Sequence, residues 1–109
     1  MDTPKRLGCV QPSDNNPVTL YTVPAGTVTC IKGIRACNTT ETGCTIQICL
    51  VSSGDSTSAQ NAIYWNFEIP ANQTLSDDGS HVLQEGGMIV VQAETESAVT
   101  FTASGMEET

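Results

Sequence analysis

The chain predicts an all-β fold, a single antiparallel β-sandwich or jelly roll of about seven or eight strands with an extended N-terminal arm, and three observations carry that expectation. Short segments rich in Val, Ile, Thr and aromatic residues recur along its 109 residues. Clusters of Pro, Gly, Asn and Asp punctuate them at close intervals. No stretch spaces its apolar residues as an amphipathic helix would. An internal repeat of ~20–50 residues is also missing, which argues against a solenoid or propeller. The expected division is an arm over residues 1–16 and one sandwich domain over 17–108.

The arm, with Pro4, Pro12, Ser13, Asp14, Asn15 and Asn16, has neither helical nor strict strand periodicity. It carries Cys9 and also Lys5 and Arg6, half of the four cations in an otherwise acidic chain. An arm of opposite charge to its own body could lie on a neighbouring copy or be a disordered leader.

The organising stretch is 17–51, which holds four of the five cysteines. Pro17 to Val23 reads as a strand and Pro24-Ala25-Gly26-Thr27 as a tight turn, since Pro presets φ and Gly permits a positive one. Val28 to Cys37 and Cys44 to Val51 read as strands joined by residues 38–43, a hairpin in its simplest form. If Ile46, Ile48 and Leu50 define the buried face, the best register sets Ile34 and Ala36 opposite them. Val28 and Cys30 then share the core face, and Cys37 and Cys49 point outward. Cys37 falls beside Thr45, ~13 Å along the strand from Cys49, too far for a disulfide. A slip of one residue pairs Cys37 with Cys44 but turns Gly33 and Arg35 onto the apolar face. The first register is preferred.

Beyond a polar loop over 52–61, Ala62 to Ile69 alternates, with Ile63, Trp65, Phe67 and Ile69 on one side. Trp65 is the expected core anchor. Pro70-Ala71-Asn72 is a turn, and short extended pieces follow at Gln73 to Ser76 and His81 to Gln84. After the turn Glu85-Gly86-Gly87, Met88 to Ala93 is apolar on nearly every residue and reads as a central strand covered on both faces. Ala98 to Met106 closes the set, with Val99, Phe101 and Ala103 facing in, before the acidic Glu107 and Glu108.

Composition bounds the chemistry. A 39% apolar content suffices for one core. A net charge of −8 with only four cations argues against a nucleic-acid groove. The absence of a long apolar run argues against a membrane span, and the N-terminal residues lack the apolar stretch of a signal peptide, so a soluble chain made in the cytoplasm is expected. Catalysis has thin support. The single histidine, His81, follows Asp77 and Asp78 in a turn, and a triad of Ser80, His81 and Asp78 would require adjacent residues to converge. No Gly-x-Ser-x-Gly elbow or phosphate-binding Gly motif occurs. No enzymatic activity and no cofactor are expected.

The cysteines are the unusual feature. Cys30, Cys37, Cys44 and Cys49 are separated by six, six and four residues, without the Cys-x-x-Cys knuckle that brings two sulfurs onto zinc, so no metal is expected. Buried, unpaired thiols suit Cys30 and Cys44. Cys9 on the arm and Cys37 and Cys49 on an outward face are the candidates for intermolecular disulfides, and an odd total leaves at least one thiol free or joined between chains. Two sequons, at Asn38 and Asn72, read as accidents of a Thr-rich sequence.

The runs Leu20-Tyr21-Thr22-Val23-Pro24-Ala25-Gly26-Thr27, Asn38-Thr39, Ile69-Pro70-Ala71-Asn72-Gln73-Thr74-Leu75 and Val99-Thr100-Phe101-Thr102-Ala103-Ser104-Gly105-Met106-Glu107 resemble small β-sandwich virion proteins of tailed bacteriophages. The resemblance covers roughly residues 17–108 and implies a structural part of the particle in symmetric copies: head decoration, or a neck, collar or tail appendage. The cysteines depart from it, standing where aliphatic or small residues would be ordinary, and point to covalent reinforcement. The expectation is a non-enzymatic decoration or linking protein of the virion that clamps neighbouring major capsid subunits or another virion structural protein. The alternatives are a neck, collar or tail protein, or a receptor- or glycan-binding module. The last would need exposed aromatics, and with Trp65 and Phe67 assigned to the core only Tyr21 and Tyr64 remain for it.

Overall fold

The computed structural model describes residues 2–109. Among the described residues nine strands form: β1 (Asp2–Val10), β2 (Val18–Thr22), β3 (Val28–Asn38), β4 (Cys44–Val51), β5 (Ala62–Ile69), β6 (Thr74–Asp77), β7 (His81–Leu83), β8 (Met88–Ala93) and β9 (Val99–Glu108). A 3-10 turn, Ala59–Asn61, precedes β5, and the side chain of Ser58 caps it. The strands make two antiparallel sheets. The first has the order β1-β9-β3-β6, with β7 also paired to β3, and the second β2-β8-β4-β5.

The pairing is nested. The first strand pairs with the last, β2 with β8, β3 with β6 and β7, and β4 with β5. Since β6 lies along residues 34–37 of β3 and β7 along residues 29–31, the two fill one interrupted strand position. Eight positions paired as one long hairpin rolled into two sheets are a jelly roll. The sandwich expected from sequence is therefore present, with the jelly-roll order.

Three expectations change. β3 and β4 are not a hairpin, because they belong to different sheets. Ile34 and Ala36 face Ile46 and Ile48 across the core rather than beside them, and all four are buried in one cluster with Ile31, Ile89, Val91 and Phe101. Alternation reports which side of a strand is buried, and that pattern is the same for a neighbour in the sheet as for a partner across the sandwich.

The N-terminal segment is extended as expected, but residues 2–10 form an edge strand on the chain's own body. Leu7 is an extra residue between Arg6 and Gly8, and this bulge turns it into the core. Gly8 lies so close to β2 that a methyl there would overlap the Leu20 carbonyl oxygen.

The third change is at Trp65 and Phe67, which are 45% and 43% exposed. Phe67 stands opposite Ile46 and Tyr64 opposite Ile48, so Trp65 and Asn66 share the place facing Gln47. A second bulge leaves Ile63 as the extra residue between Tyr64 and Ala62. Two bulges within one edge strand break the period of two that alternation assumes. The core anchor is Phe101, fully buried.

Candidate functional site

β3 determines which thiols face out. Thr29 and Ile31 are buried at odd positions, whereas Ile34, Ala36 and Asn38 are buried at even ones. A bulge at residues 32–33, opposite the step from Ser104 to Gly105, inverts the phase. Cys30 and Cys37, on either side of it, both lie on the outer face. Cys30, expected in the core, is thereby corrected to a partly exposed residue, and Cys37 is outward as expected, half-buried.

Cys9 joins them. It is exposed, opposite Thr102, which in turn stands opposite Arg35. Thr102 Oγ1 donates to Cys9 Sγ at 3.6 Å, and Arg35 Nε donates to Ser76 Oγ at 3.4 Å, so one polar row crosses the sheet. Cys37 lies in the next row with Thr100 and Thr74. Cys30 sits between Met106 and Val82, in a depression of about 300 Å³ that Lys32 also lines.

No two of these thiols can meet within one chain. Two strand spacings and two residues separate Cys9 from Cys37, ~12 Å between Cα atoms, against the ~4–7 Å that a disulfide spans. Six residues of the same strand lie between Cys30 and Cys37. All five cysteines are free thiols.

Cys44 is buried in the main core as expected. Cys49, expected outward and available for cross-linking, is 1% exposed. It does lie on the outer side of the second sheet, packed with Val51, Val90, Ala62 and Met88. The loop before β5 covers it there, with Cys49 Sγ donating to the Ser58 carbonyl at 3.8 Å. Burial pushes its pKa up, so the nucleophilic thiolate is disfavoured. Cys49 is therefore inaccessible, contrary to the expectation, whereas Cys30 is partly exposed.

The charges are divided between the sheets. All four cations lie on β1 and β3. Arg6, Lys32 and Arg35 are exposed beside the thiols, whereas the strands of the second sheet carry no Lys or Arg. The outer face of the first sheet is thus the cationic region of an acidic molecule. The arm's Lys5 and Arg6 were legible in the sequence. Their company with Lys32 and Arg35 was not, because β9 brings β1 beside β3 from the far end of the chain.

The other residues weighed for catalysis or ligand contact make local contacts. His81 Nε2 lies 3.0 Å from Asp77 Oδ2, while Asp77 Oδ1 accepts from the Gly79 N–H at 2.9 Å, so this carboxylate organises the turn between β6 and β7. Ser80 and Asp78 enter no such contact with the imidazole. At the β5 edge, the rings of Tyr64 and Phe67 meet edge-on with centroids 5.5 Å apart. Burial first, and then the charge of Asp77, raise the pKa of Tyr64. Tyr21, the other tyrosine weighed for ligand contact, is buried. The sequence held one sign of the exposed aromatics: Asn66, between Trp65 and Phe67, is a residue type that tolerates the left-handed backbone it adopts, with φ of 53°.

Fold and surface together define a jelly-roll β-sandwich whose first sheet presents thiols and cations on one outer face. No protein-family model matches the chain, and no curated protein matches its sequence.

Proposed function

We propose that the chain is a non-enzymatic structural subunit of a tailed-phage virion, a decoration or linking protein that clamps neighbouring major capsid subunits. The observation that carries this reading is the outer face of the first sheet, where Cys9, Cys30 and Cys37 lie among Arg6, Lys32 and Arg35 and cannot pair within one chain. The fold class agrees with it, since jelly rolls are common in capsid proteins, an argument by analogy only.

The clamp works in two stages. The cationic face first docks on acidic surface of the particle, an attraction that salt weakens. Thiols brought against cysteines of neighbouring subunits or of symmetry-related copies are then oxidised. Each disulfide forms as two thiols give up two protons and two electrons, with dioxygen outside the host cell as acceptor. A chain cross-link of this kind contributes ~2–4 kcal/mol against unfolding. The acidic remainder of the molecule faces the medium and keeps particles mutually repelling. The same face could serve a neck, collar or tail protein, and the symmetry of attachment in images of the particle separates that reading from decoration.

The test is denaturing electrophoresis of native particles with free thiols blocked, with and without reductant, and mass identification of the shifted bands. A ladder that collapses on reduction, with Cys9, Cys30 or Cys37 in the joined peptides, is expected. Particles carrying Cys9→Ser should release the chain more readily while the isolated domain keeps its stability. A single monomer band would remove the covalent clamp.

A further inference from the structure

The outer face of the second sheet carries a groove of about 250 Å³ lined by Asn15, Thr45, Gln47, Asn66, Gln92 and Glu94, with Ile46 as its one apolar lining residue. Its floor is a row of side-chain amides crossing three strands. Gln47 stands directly opposite Gln92 of β8, and the β5 bulge brings Asn66 to the other side of Gln47. Two hydrogen bonds fix their orientations: Gln47 Nε2 donates to Asn66 Oδ1 at 2.9 Å, and Gln92 Nε2 donates to the Asn15 carbonyl at 2.8 Å. Among the described residues, Gln47 Oε1, Asn66 Nδ2 and Gln92 Oε1 have no protein partner, and the groove therefore offers both acceptors and a donor.

We infer that this groove binds a neutral saccharide unit. A sugar hydroxyl both donates and accepts, and a fixed row of amides offering both roles matches adjacent hydroxyls, whereas an apolar ligand would leave those amides desolvated and unpaired. Phosphates and acidic sugars are disfavoured, because Glu94 lines the groove and no strand of the sheet bears a cation. The volume falls below the ~300–1,000 Å³ of pockets for drug-sized ligands, which suits one ring. Trp65, beside Asn66 on the bulge and 45% exposed, places an aromatic ring next along the strand. The groove and the thiol face lie on opposite sides of the sandwich, so the inference holds whatever the first sheet docks against.

The test follows side-chain amide and indole N–H signals by nuclear magnetic resonance as methyl glucoside, methyl mannoside, methyl galactoside and N-acetylglucosamine are titrated in turn. At least one sugar should give saturable shifts of the Gln47, Asn66 and Gln92 amides, and the single tryptophan gives one further signal beside them. Asn66→Gly removes an amide at a position whose positive φ glycine accepts, and Gln92→Ala removes another. Each should weaken binding ~5-fold, the worth of one neutral hydrogen bond. Glucuronate should bind less well than methyl glucoside. No saturable shift with any of the four sugars, shifts indifferent to both substitutions, or tighter binding of glucuronate would each overturn the site.

Discussion

Tyr21 joins the two sheets through its hydroxyl, which lies 2.7 Å from Thr29 Oγ1 and donates to Glu107, a carboxylate that Lys5 Nζ approaches to 3.3 Å. Burial, and then the bond to Glu107, push the tyrosine pKa up to about 12. The same bond, helped by Lys5, holds the Glu107 carboxyl below its ordinary range. A folded pKa raised above the unfolded value gives stability that is complete below ~pH 10 and lost as pH climbs toward the folded value. Tyr21→Phe should therefore lower the melting temperature at neutral pH and flatten its decline at alkaline pH, as measured by thermal unfolding across that range. At the acid end, the Glu107 contribution is present above the ordinary carboxylate range and fades as pH falls through its lowered pKa. Asn38 shows why such residues are hard to find in a sequence. It is fully buried, its Nδ2 donating to the carbonyls of Thr42 and Ile69 and its Oδ1 accepting from Thr40. The Asn-Thr turn was legible, but the partner at Ile69 lies across the sandwich. This burial also shields the Asn38 sequon from a glycan in the folded protein.

Strands depart from regular pairing where the molecule changes what its residues can reach. Bulges turn Leu7 inward, move Cys30 outward and free Trp65 from the core. The bulge of β3 also lets β9 approach closely: a methyl on Gly105 would overlap the Cys30 carbonyl oxygen and lie 3.0 Å from Ile31 Cα. Gly105→Ala should cost ~2 kcal/mol or more, read from urea unfolding midpoints, while Ser104→Ala next to it, exposed, should stay within ~0.5 kcal/mol. Equal midpoints for the two variants would show that the contact relaxes freely. Strand existence and type were legible in the runs of β-branched residues, yet a bulge adds one residue without altering composition, so the faces beyond it were read with the wrong phase.

For the molecule as a whole, nesting makes the first and last strands partners, with residues 2–10 lying along 101–108. Removing residues 1–10 would strip β9 of one of its two neighbours, create a new unpaired edge and take Leu7 from the core. Such a truncation should lower the melting temperature by ~10 °C or more and promote association. If β1 instead belonged to a neighbouring copy, the melting temperature of the intact chain would rise with protein concentration; in this fold it should not. The charge division belongs to this scale too, because β1 and β3 become neighbours of β9 only in the closed sandwich.

The sequence by itself determined the all-β class, the places of eight of the nine strands and their turns, and the burial of Ile34, Ile46, Phe101 and Cys44, because these follow from local propensity and turn chemistry. Only the tertiary structure decided that β3 and β4 oppose each other across the core, that residues 2–10 complete a sheet, and that Cys30 is outward while Cys49 is covered. It alone gathered Gln47, Asn66 and Gln92 into one groove. The reason is physical: alternation specifies a side of a strand, whereas neighbours, bulges and covering loops arise from long-range pairing, which leaves little trace in the order of residues along the chain.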